Sequence, residues 1–336
     1  MSIPADSIQT RIPFRAMILA AGLGSRLRPL TLERPKVLVP VQNRPLLHWL
    51  IDYLRGAGAE AVIINAHHLS RALVEHVRSE KFNIPVEVRV EESLLDTGGG
   101  IRNVADFSEG RPFVVINGDI FSAIDIQEVL GSHLCSGAKA TLVLTDEPRF
   151  NQVQVAVDGR ILSFTGGPGQ RLAFTGIQVL DPQGLMDIPA RTPVSIIDFY
   201  GQLIAAGSKV MAHVVEGEFW RELGTPERYL QLHQEFFRLK TPPLPGVQVG
   251  GKPAVHPSVR LGAGVELEGA VCLGAGSVLG DGVKVHGSIL WDRVEVRAGC
   301  SVTASIICDR VVVREPVRDA VITGLVGGQA AGRSRF

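Results

Sequence analysis

Glycines and cations cluster near the amino terminus in a pattern suited to holding a phosphate chain. A short apolar run is followed at once by Gly22, Gly24, Ser25 and Arg26, and Lys36 comes after a Pro residue further along. Glycine lets the backbone approach a phosphate, and consecutive amides of such a turn can cradle it. Arginine adds a fork of donors for phosphate oxygens. The segment therefore predicts a polyphosphate site.

Two familiar phosphate motifs do not fit this segment. The position of the third glycine in G-x-G-x-x-G is held by Leu27, and the chain has no G-x-x-x-x-G-K-[ST]. A dinucleotide fold and a Walker-type loop are therefore poor interpretations.

Composition narrows the class of protein. The 336 residues carry 34 basic and 34 acidic side chains, and 45% are hydrophobic, which suits two domains with full cores. A nucleic-acid partner is not expected, because no basic excess is present. No apolar run is long enough to cross a membrane and no secretory leader is seen, so we expect a cytoplasmic protein without a membrane partner. The four cysteines lack C-x-x-C spacing and are expected to be buried and reduced.

Residues 1–240 alternate short apolar runs with amphipathic stretches. Predicted strands at 16–20, 61–65, 86–90 and 113–117 are separated by predicted helices at 45–54 and 69–77. This alternation predicts an α/β, Rossmann-like domain with a mixed, mostly parallel sheet. Ligands in such folds lie at the carboxyl ends of the strands.

A proline-rich linker at 241–246 precedes a repetitive region at 247–325. Aliphatic residues recur every six positions from Val255 through Leu261 and Leu267 to Val285, with glycines between them. This period predicts a parallel β-helix of hexapeptide repeats, and its phase is expected to slip after Trp291. Residues 326–336 are expected to be a flexible tail. An open β-helix is a natural surface for homo-oligomer formation.

The segment from Gly22 to Thr31, with Pro35-Lys36 after it, resembles the G-x-G-x-R-L-x-P-x-T and P-K signature of sugar-phosphate nucleotidyltransferases. Many members of that family carry a C-terminal left-handed β-helix, so the resemblance extends over the whole chain. Mannose-1-phosphate guanylyltransferases and N-acetylmuramate-1-phosphate uridylyltransferases are the most similar branches.

The resemblance implies roles for the residues around the triphosphate. Arg26 would bind the β- and γ-phosphates, Lys36 would offset charge as pyrophosphate leaves, and Asp119 would complete the catalytic set. The full set of implied nucleotide contacts is Leu19, Ala20, Ala21, Gly22, Gly24, Ser25, Arg26, Gly98, Gly99 and Gly100. The glycine triplet would let backbone groups select the base, although it could instead be a plain turn into a helix.

The resemblance also implies a Mg²⁺ cofactor. Asp119 matches the family's metal ligand, although an Asp there could instead cap the next helix. The second ligand would be Glu222 in Trp220-Arg221-Glu222-Leu223-Gly224-Thr225, where the family has aspartate. Carboxylate oxygens of either residue suit this hard cation.

On the sugar side the sequence departs from the family. The family's F-x-E-K-P appears here as 164–168, Phe-Thr-Gly-Gly-Pro, without the two charged residues. Arg149, Arg171 or Arg102 could supply the missing cation. The implied sugar contacts are Asn117, Asn151, Gly176 and Glu222; for Asn151 a role in a turn is equally possible.

The implied reaction transfers a nucleoside monophosphate from a triphosphate to a sugar 1-phosphate and releases pyrophosphate, while the base and the sugar stay open. Two other interpretations remain. One is a catalytically idle subunit that binds nucleotide sugar and regulates a partner, which the Glu222 substitution favours. The other is a bifunctional enzyme whose β-helix transfers an acyl group with His256 or His286 as base.

Overall fold

The strands of the amino-terminal part follow the short apolar runs of the sequence. A computed structural model describes residues 11–165, 169–324 and 333–335. The strands before the linker are β1 Phe14–Leu19, β2 Pro40–Val41, β3 Arg44–Pro45, β4 Ala59–Ala66, β5 Val86–Val90, β6 Phe113–Asn117, β7 Ile120–Ser122, β8 Ala140–Thr145, β9 Val153–Val155, β10 Ile161–Ser163, β11 Arg171–Leu180, β12 Val210–Val214 and β13 Trp220–Glu222.

Nine of these strands form one mixed sheet within the described residues. Its order is β10-β9-β11-β6-β1-β4-β5, and β8 and β12 extend from β11. β1 pairs in parallel with β4 and β6, and β4 with β5, whereas β11 runs antiparallel to β6 and β8. The predicted Rossmann-like α/β fold is confirmed, with parallel pairing concentrated in the half of the sheet formed by β5, β4, β1 and β6.

Helices cover both faces of this sheet. They are α1 Leu30–Glu33, α2 Leu46–Gly56, α3 Ser70–Ser79, α4 Asp96–Asn103, α5 Ile126–Ser136, α6 Ile196–Ala205 and α7 Pro226–Arg238, and short 3₁₀ turns lie at Ser25–Leu27, Lys36–Leu38, Ala105–Ser108 and Gly184–Asp187. Because successive strand residues face opposite sides, Met17 and Ile18 of β1 enter different apolar cores. Both cores are closed by helices.

After the linker, short parallel strands stack in three sheets as a β-helix. The strands are β14 Ala254–Val255, β15 Arg260–Leu261, β16 Glu266–Glu268, β17 Cys272–Leu273, β18 Val278–Leu279, β19 Lys284–His286, β20 Ile289–Leu290, β21 Glu295–Val296, β22 Ser301–Thr303, β23 Ile306–Ile307, β24 Val312–Val313, β25 Val317–Arg318, β26 Ala320–Ile322 and β27 Arg333–Arg335. The sheets are β14-β17-β20-β23-β26-β27, β15-β18-β21-β24 and β16-β19-β22-β25. The predicted β-helix is confirmed.

The phase slip falls earlier than predicted. Leu273 pairs with Val255, eighteen residues before it, and with Leu290, seventeen residues after it, so the first shortened coil ends before Trp291. The next coil, from Leu290 to Ile307, is also seventeen residues long. The cause is a shorter turn at one corner of the coil. Three residues separate β16 from β17, whereas only Gly287 and Ser288 separate β19 from β20. The aliphatic residues on both sides keep facing the same core, because the strands themselves stay in register.

The β-helix and the α/β part share one apolar core. Cys272, Ile289 and Ile306, one from each of three stacked strands, are buried in the same cluster as Tyr229 of α7. The predicted linker lies between the end of α7 at Arg238 and the start of β14 at Ala254. The two parts are therefore packed together and not merely tethered.

Three smaller expectations meet the structure here. Residues 333–335 form β27, paired antiparallel with β26 where a flexible tail was predicted, and the rest of that tail lies outside the described residues. Cys135 is exposed on α5, contrary to the expectation that all cysteines are buried, while Cys272, Cys300 and Cys308 are buried. Among the helices that the structure describes, none has the length and apolar character needed to span a membrane.

Candidate active site

The glycine-rich loop leaves the carboxyl end of β1 and is held by side chains from neighbouring elements. The Ala20 amide donates to Oδ1 of Asn65 at 2.7 Å. Gly24 adopts φ +59°, and a Cβ there would lie 2.7 Å from Cγ2 of Thr31. The Thr31 hydroxyl donates to the Gly24 carbonyl at 2.8 Å, and His68 Nε2 donates to the Thr31 carbonyl at 3.0 Å. The loop is thus fixed before any ligand arrives.

The Gly98-Gly99-Gly100 triplet lies inside α4 and allows three close approaches. The amides of Gly98 and Gly99 both donate to the Val194 carbonyl, at 2.7 and 3.1 Å. A Cβ on Gly99 would lie 2.4 Å from the Thr192 carbonyl oxygen. In this structure the triplet serves the packing of α4 against the segment before α6, and the base contact predicted for it stays a prediction.

Gly100 makes room for a buried polar pair that supports the loop. A Cβ on Gly100 would lie within 2.9 Å of both the Asn65 amide and the Glu91 carboxylate. Asn65 Nδ2 donates to Glu91 Oε1 at 2.8 Å, and the other Glu91 oxygen accepts from the Leu95 amide at 3.1 Å. Asn65 and Glu91 are 2% and 4% exposed, so this pair connects the ends of β4 and β5 to the glycine-rich loop below the protein surface.

A cavity of about 300 Å³ opens beside the loop. It contains all the predicted nucleotide contacts except the glycine triplet, together with residues at the start of α4 and the end of β6. The lining residues are Leu19, Ala20, Ala21, Gly22, Gly24, Ser25, Arg26, Lys36, Val37, Asn65, Leu94, Asp96, Thr97, Asn117, Gly118 and Asp119. The structure therefore brings the phosphate loop, both predicted cations and one predicted metal ligand to one cleft.

Lys36 and Asp119 form an ion pair in this cleft. Lys36 Nζ lies 2.6 Å from Asp119 Oδ2, and both side chains are about four-fifths buried, with exposures of 16% and 21%. Asp119 follows β6 directly, and Gly118 before it has no room for a side chain, since a Cβ would lie 2.6 Å from the Leu19 carbonyl. The tight turn places the carboxylate at the mouth of the phosphate loop.

The carboxylate of Glu222 is held by two arginines. Arg26 Nη2 donates to one carboxylate oxygen at 2.9 Å, and Arg228 Nη1 donates to the other. The carboxylate folds back over Gly224, where an added Cβ would lie 2.1 Å from Oε1. The glycine of the W-x-E-x-G-T segment therefore creates the space that the longer glutamate occupies.

A two-stranded ribbon brings Asp119 and Glu222 together across a long sequence separation. β7 pairs antiparallel with β13, with Glu222 opposite Ile120. The Leu223 amide donates to the Asp119 carbonyl at 2.8 Å, which extends the ladder by one residue. Two carboxylates on adjacent strands are a suitable donor set for Mg²⁺, which prefers one or two carboxylates and retains water or substrate oxygens.

A second cavity of about 360 Å³ adjoins the first and shares Arg26, Asn117 and Asp119 with it. Its remaining lining is largely apolar, with four aromatic rings and a few polar groups: Ile120, Phe150, Gln152, Val153, Phe164, Phe174, Thr175, Ile197, Trp220 and Glu222. Trp220 is held by a hydrogen bond from Nε1 to the Thr175 carbonyl at 2.8 Å. The lining suits a ring with hydroxyl groups.

The predicted sugar contacts are distributed unevenly around this second cavity. Asn117 and Glu222 line it. Gly176, at φ +80°, leaves room for the Asn117 side chain, because a Cβ on Gly176 would lie 2.5 Å from Asn117 Nδ2. Asn151 braces its own loop, because Oδ1 accepts from the Glu147 amide at 3.0 Å and Nδ2 donates to Asp146 at 2.6 Å. Its neighbours Phe150 and Gln152 line the cavity instead.

The three arginines suggested for the missing cation lie in different places. Arg149 lines a side cavity of about 260 Å³ that shares Phe150, Trp220 and Glu222 with the sugar-side cavity. Arg171 is exposed on β11, and Arg102 donates to the Ile188 carbonyl at 3.1 Å, on the far side of α4. Residues 166–168, where the family's charged pair would fall, lie outside the described part of the chain.

Sequence reasoning missed Arg228 and the Asn65–Glu91 pair. Arg228 stacks over Phe150, with its guanidinium carbon 4.7 Å from the ring centre, and reaches Glu222 from the first turn of α7. Thr225 caps that helix, because its hydroxyl oxygen accepts a hydrogen bond from the Arg228 amide. Arg228 comes three residues after the capping residue. This spacing was the signal in the sequence that could have identified it, because a side chain at that position faces back toward β13.

Comparison with known proteins identifies the family of the chain. The family model described as nucleotidyl transferase matches residues 15–238, and the chain belongs to that family. It is 32% identical to a mannose-1-phosphate guanylyltransferase of Mycobacterium tuberculosis, over 85% of this chain and 82% of the relative. It is 30% identical to mannose-1-phosphate guanylyltransferase 1 of Arabidopsis thaliana, over 87% and 85%, and 26% identical to a UTP–glucose-1-phosphate uridylyltransferase of Synechocystis, over 90% and 83%.

Solved structures show the same likeness in the α/β part. The crystal structure of HddC from Yersinia pseudotuberculosis complexed with GMP-PN superposes with a TM-score of 0.59 at 25% identity, over 66% of this chain and 99% of that one. A second crystal structure of HddC from the same organism gives a TM-score of 0.58, also at 25% identity, over 65% of this chain and 97% of that one.

Proposed function

We propose that the chain transfers a nucleoside monophosphate from a nucleoside triphosphate to a sugar 1-phosphate, giving a nucleotide sugar and pyrophosphate. The observation that carries this proposal is the junction of two cavities at Arg26, Asn117 and Asp119. One cavity has a phosphate loop and the other an aromatic, polar lining. A reaction that joins a triphosphate to a sugar phosphate needs the α-phosphorus, where the new bond forms, to lie at such a junction.

GTP and mannose 1-phosphate are the substrates we propose first. The names of the two guanylyltransferase relatives and the GMP-PN in the HddC complex support this choice. The uridylyltransferase relative makes UTP with glucose 1-phosphate the main competitor. Leu94, Asp96 and Thr97 line the nucleotide cavity beside the glycine triplet and are the proposed surroundings of the base.

Asp119 and Glu222 would hold Mg²⁺ between the two cavities. When bound there, the ion would bring the α-phosphate and the sugar phosphate together and reduce their mutual repulsion. The fit rests on two hard oxygen donors carried by adjacent strands.

The cation that replaces the family's missing lysine is proposed to be Arg228, with Arg149 beside it. Arg228 is oriented by Glu222 and Phe150, and its side chain is 23% exposed at the edge of the sugar cavity. Both arginines line the side cavity that adjoins it. Replacing Arg228 by Gln should raise KM for the sugar phosphate by about ten-fold or more, whereas Gln in place of exposed Arg160 should not.

Catalysis follows from positioning and charge. The sugar phosphate oxygen would attack the α-phosphorus in line, so that no covalent enzyme intermediate is needed. Arg26 and Lys36 would stabilise the leaving pyrophosphate, and the loop amides from Gly22 to Arg26 would hold the triphosphate. Release of these groups from their carboxylate partners accompanies substrate binding.

Pyrophosphate release with several triphosphates and several sugar 1-phosphates tests the proposal. We expect turnover with one pair of substrates and Mg²⁺, and a loss of at least about 10²-fold in Asp119→Asn with the fold retained. Tight nucleotide binding without turnover for any pair would instead support the idle regulatory subunit. Light scattering of the same sample checks the homo-oligomer predicted for the β-helix.

A further inference from the structure

Two histidines and a glutamate converge on the surface of the α/β part, away from the cavities described above. His48 lies in the first turn of α2, His76 in the last turns of α3, and Glu80 directly after α3. The Nε2 atoms of the two imidazoles are 2.8 Å apart. One ligand atom from each of the three residues lies within 4.8 Å of the others.

We infer that His48, His76 and Glu80 form a binding site for a divalent transition metal ion, with Zn²⁺ as the first candidate. Imidazole nitrogens select Zn²⁺, Ni²⁺, Co²⁺ or Cu²⁺, not Mg²⁺. Three protein ligands with one position open to solvent match a common four-coordinate arrangement. The site is chemically distinct from the carboxylate pair at Asp119 and Glu222.

The geometry of the two imidazoles needs little change to accept an ion. Two nitrogens at about 2.05 Å from a tetrahedral ion are roughly 3.3 Å apart, so the present separation must widen by about 0.5 Å. His48 packs edge-on against Phe82, with ring centres 5.1 Å apart, which fixes the direction of its Nε2. Glu80 is exposed and can turn its carboxylate toward the pair.

The contact between the two imidazoles is one that a cation can replace, because the two Nε2 atoms lie within hydrogen-bond distance of each other. Neutral rings at this distance share one proton between the two Nε2 atoms. A metal ion takes the place of that shared proton, which moves to an Nδ1 atom.

The charged side chains around the two histidines form ion pairs, and Glu80 adds a negative charge to the site. Arg44 and Asp52 also face His48, and they are paired with each other. Arg34 faces His76, and it is paired with Asp309. Glu80 remains as the acidic ligand. Because α2 and α3 each supply a ligand, a bound ion would join these two helices.

Co²⁺ titration of EDTA-treated full-length protein, in excess Mg²⁺ to occupy oxygen sites, tests the inference. We expect one equivalent to bind with the visible absorption of a tetrahedral centre, and Zn²⁺ to displace it. Zn²⁺ at 100 times its Kd should raise Tm by about 5 °C. The double variant His48→Gln/His76→Gln should lose the absorption, and His213→Gln, a half-buried histidine elsewhere, should keep it.

Glu80→Gln keeps the test valid if the double variant does not fold, because this residue is exposed. It should weaken Co²⁺ binding by about ten-fold. Folded wild-type protein that gives no tetrahedral absorption would mean that the histidines share only a proton. Equal Co²⁺ affinity in the Glu80→Gln variant would overturn the three-ligand site, because Glu80 would then not be a ligand.

Discussion

The Arg34 guanidinium donates from Nε to Oδ2 of Asp309 at 2.8 Å and thereby joins the segment that carries Lys36 to the β-helix. Arg34 also lies over Trp291, with its guanidinium carbon 5.0 Å from the ring centre. Trp291 in turn donates from Nε1 to the Tyr229 hydroxyl at 3.2 Å, and that hydroxyl donates to the Pro40 carbonyl. The segment around Lys36 is thus held from both ends by contacts that depend on the β-helix.

Replacing Asp309 by Asn should therefore slow turnover without touching the substrate. A loss of about 1 kcal/mol in the positioning of Lys36 corresponds to a five-fold fall in kcat, and KM for the sugar phosphate should stay the same. Steady-state kinetics measure both quantities. The control is Asp319→Asn, an exposed acidic residue at φ +47°, which asparagine tolerates. A lower Tm with unchanged kcat would make the Arg34–Asp309 pair purely structural.

Gly224→Ala should weaken metal-dependent catalysis. The added Cβ would lie 2.1 Å from Glu222 Oε1, so the carboxylate must leave its present position. We expect kcat to fall by about ten-fold or more and the Mg²⁺ concentration for half-maximal rate to rise. Gly201→Ala is the matched control, since a Cβ in that part of α6 meets nothing within 4 Å. An unchanged Mg²⁺ dependence would argue against Glu222 as a ligand.

Acid should destabilise the protein partly through His233. This buried ring accepts a hydrogen bond from the Gln42 amide and donates one to the Tyr229 carbonyl, and burial lowers its pKa from 6.5 to about 4. The unfolded chain therefore binds more protons than the folded chain between these two pKa values. The contribution of His233 to the free energy of unfolding is fully present above about pH 6.5 and is lost as pH falls toward 4.

At pH 5 the free energy of unfolding is about 2 kcal/mol lower than at pH 7 because of His233. Urea unfolding between pH 7 and pH 5 measures it, and His233→Gln should flatten the dependence by about that amount. His256→Gln in the β-helix should keep the wild-type slope. An equally steep slope in the His233 variant would assign the acid sensitivity to other groups.

Metal ion and triphosphate should bind cooperatively. Without ligands, Lys36 pairs with Asp119 and Arg26 pairs with Glu222, so each proposed phosphate cation occupies a proposed metal ligand. Nucleotide alone would take Lys36 from Asp119, and Mg²⁺ alone would take the carboxylates from Lys36 and Arg26, so either ligand alone leaves a charge without its partner. Glu222 keeps Arg228 in both cases, and the two ligands together satisfy all four residues. We expect Mg²⁺ to tighten nucleotide binding by about ten-fold or more, a coupling of roughly 1–3 kcal/mol. Calorimetry with and without Mg²⁺ measures it, and equal affinities would contradict the proposed exchange.

Local patterns in the sequence were sufficient for much of the fold and for part of the site. The strands at 86–90 and 113–117 have the predicted bounds, and the six-residue period predicted the β-helix, because period and burial are set by near neighbours. The glycine-rich loop, Lys36 and Asp119 share one cleft, as their spacing after two parallel strands suggested.

Contacts between distant segments could not be predicted in this way. The support of Ala20 by Asn65 and Glu91, and of Glu222 by Arg228, depends on how strand ends meet in space. Asn151 was expected near the sugar because its neighbours are, but its short amide is already used within its own loop. The shortened corner at Gly287 was located only by the strand pairing, because the six-residue period alone put the slip after Trp291.

The core shared by α7 and the outer face of the β-helix limits how this chain can be divided. A protein that stops at the linker would expose the apolar side of Tyr229 to water, because it would lose Trp291 and the neighbouring core residues Cys272, Ile289 and Ile306. Such a fragment would be prone to aggregate, and poor activity in it would say little about catalysis. Recombining the α/β half with a β-helix from another relative would succeed only where the two contact surfaces are exchanged as a unit.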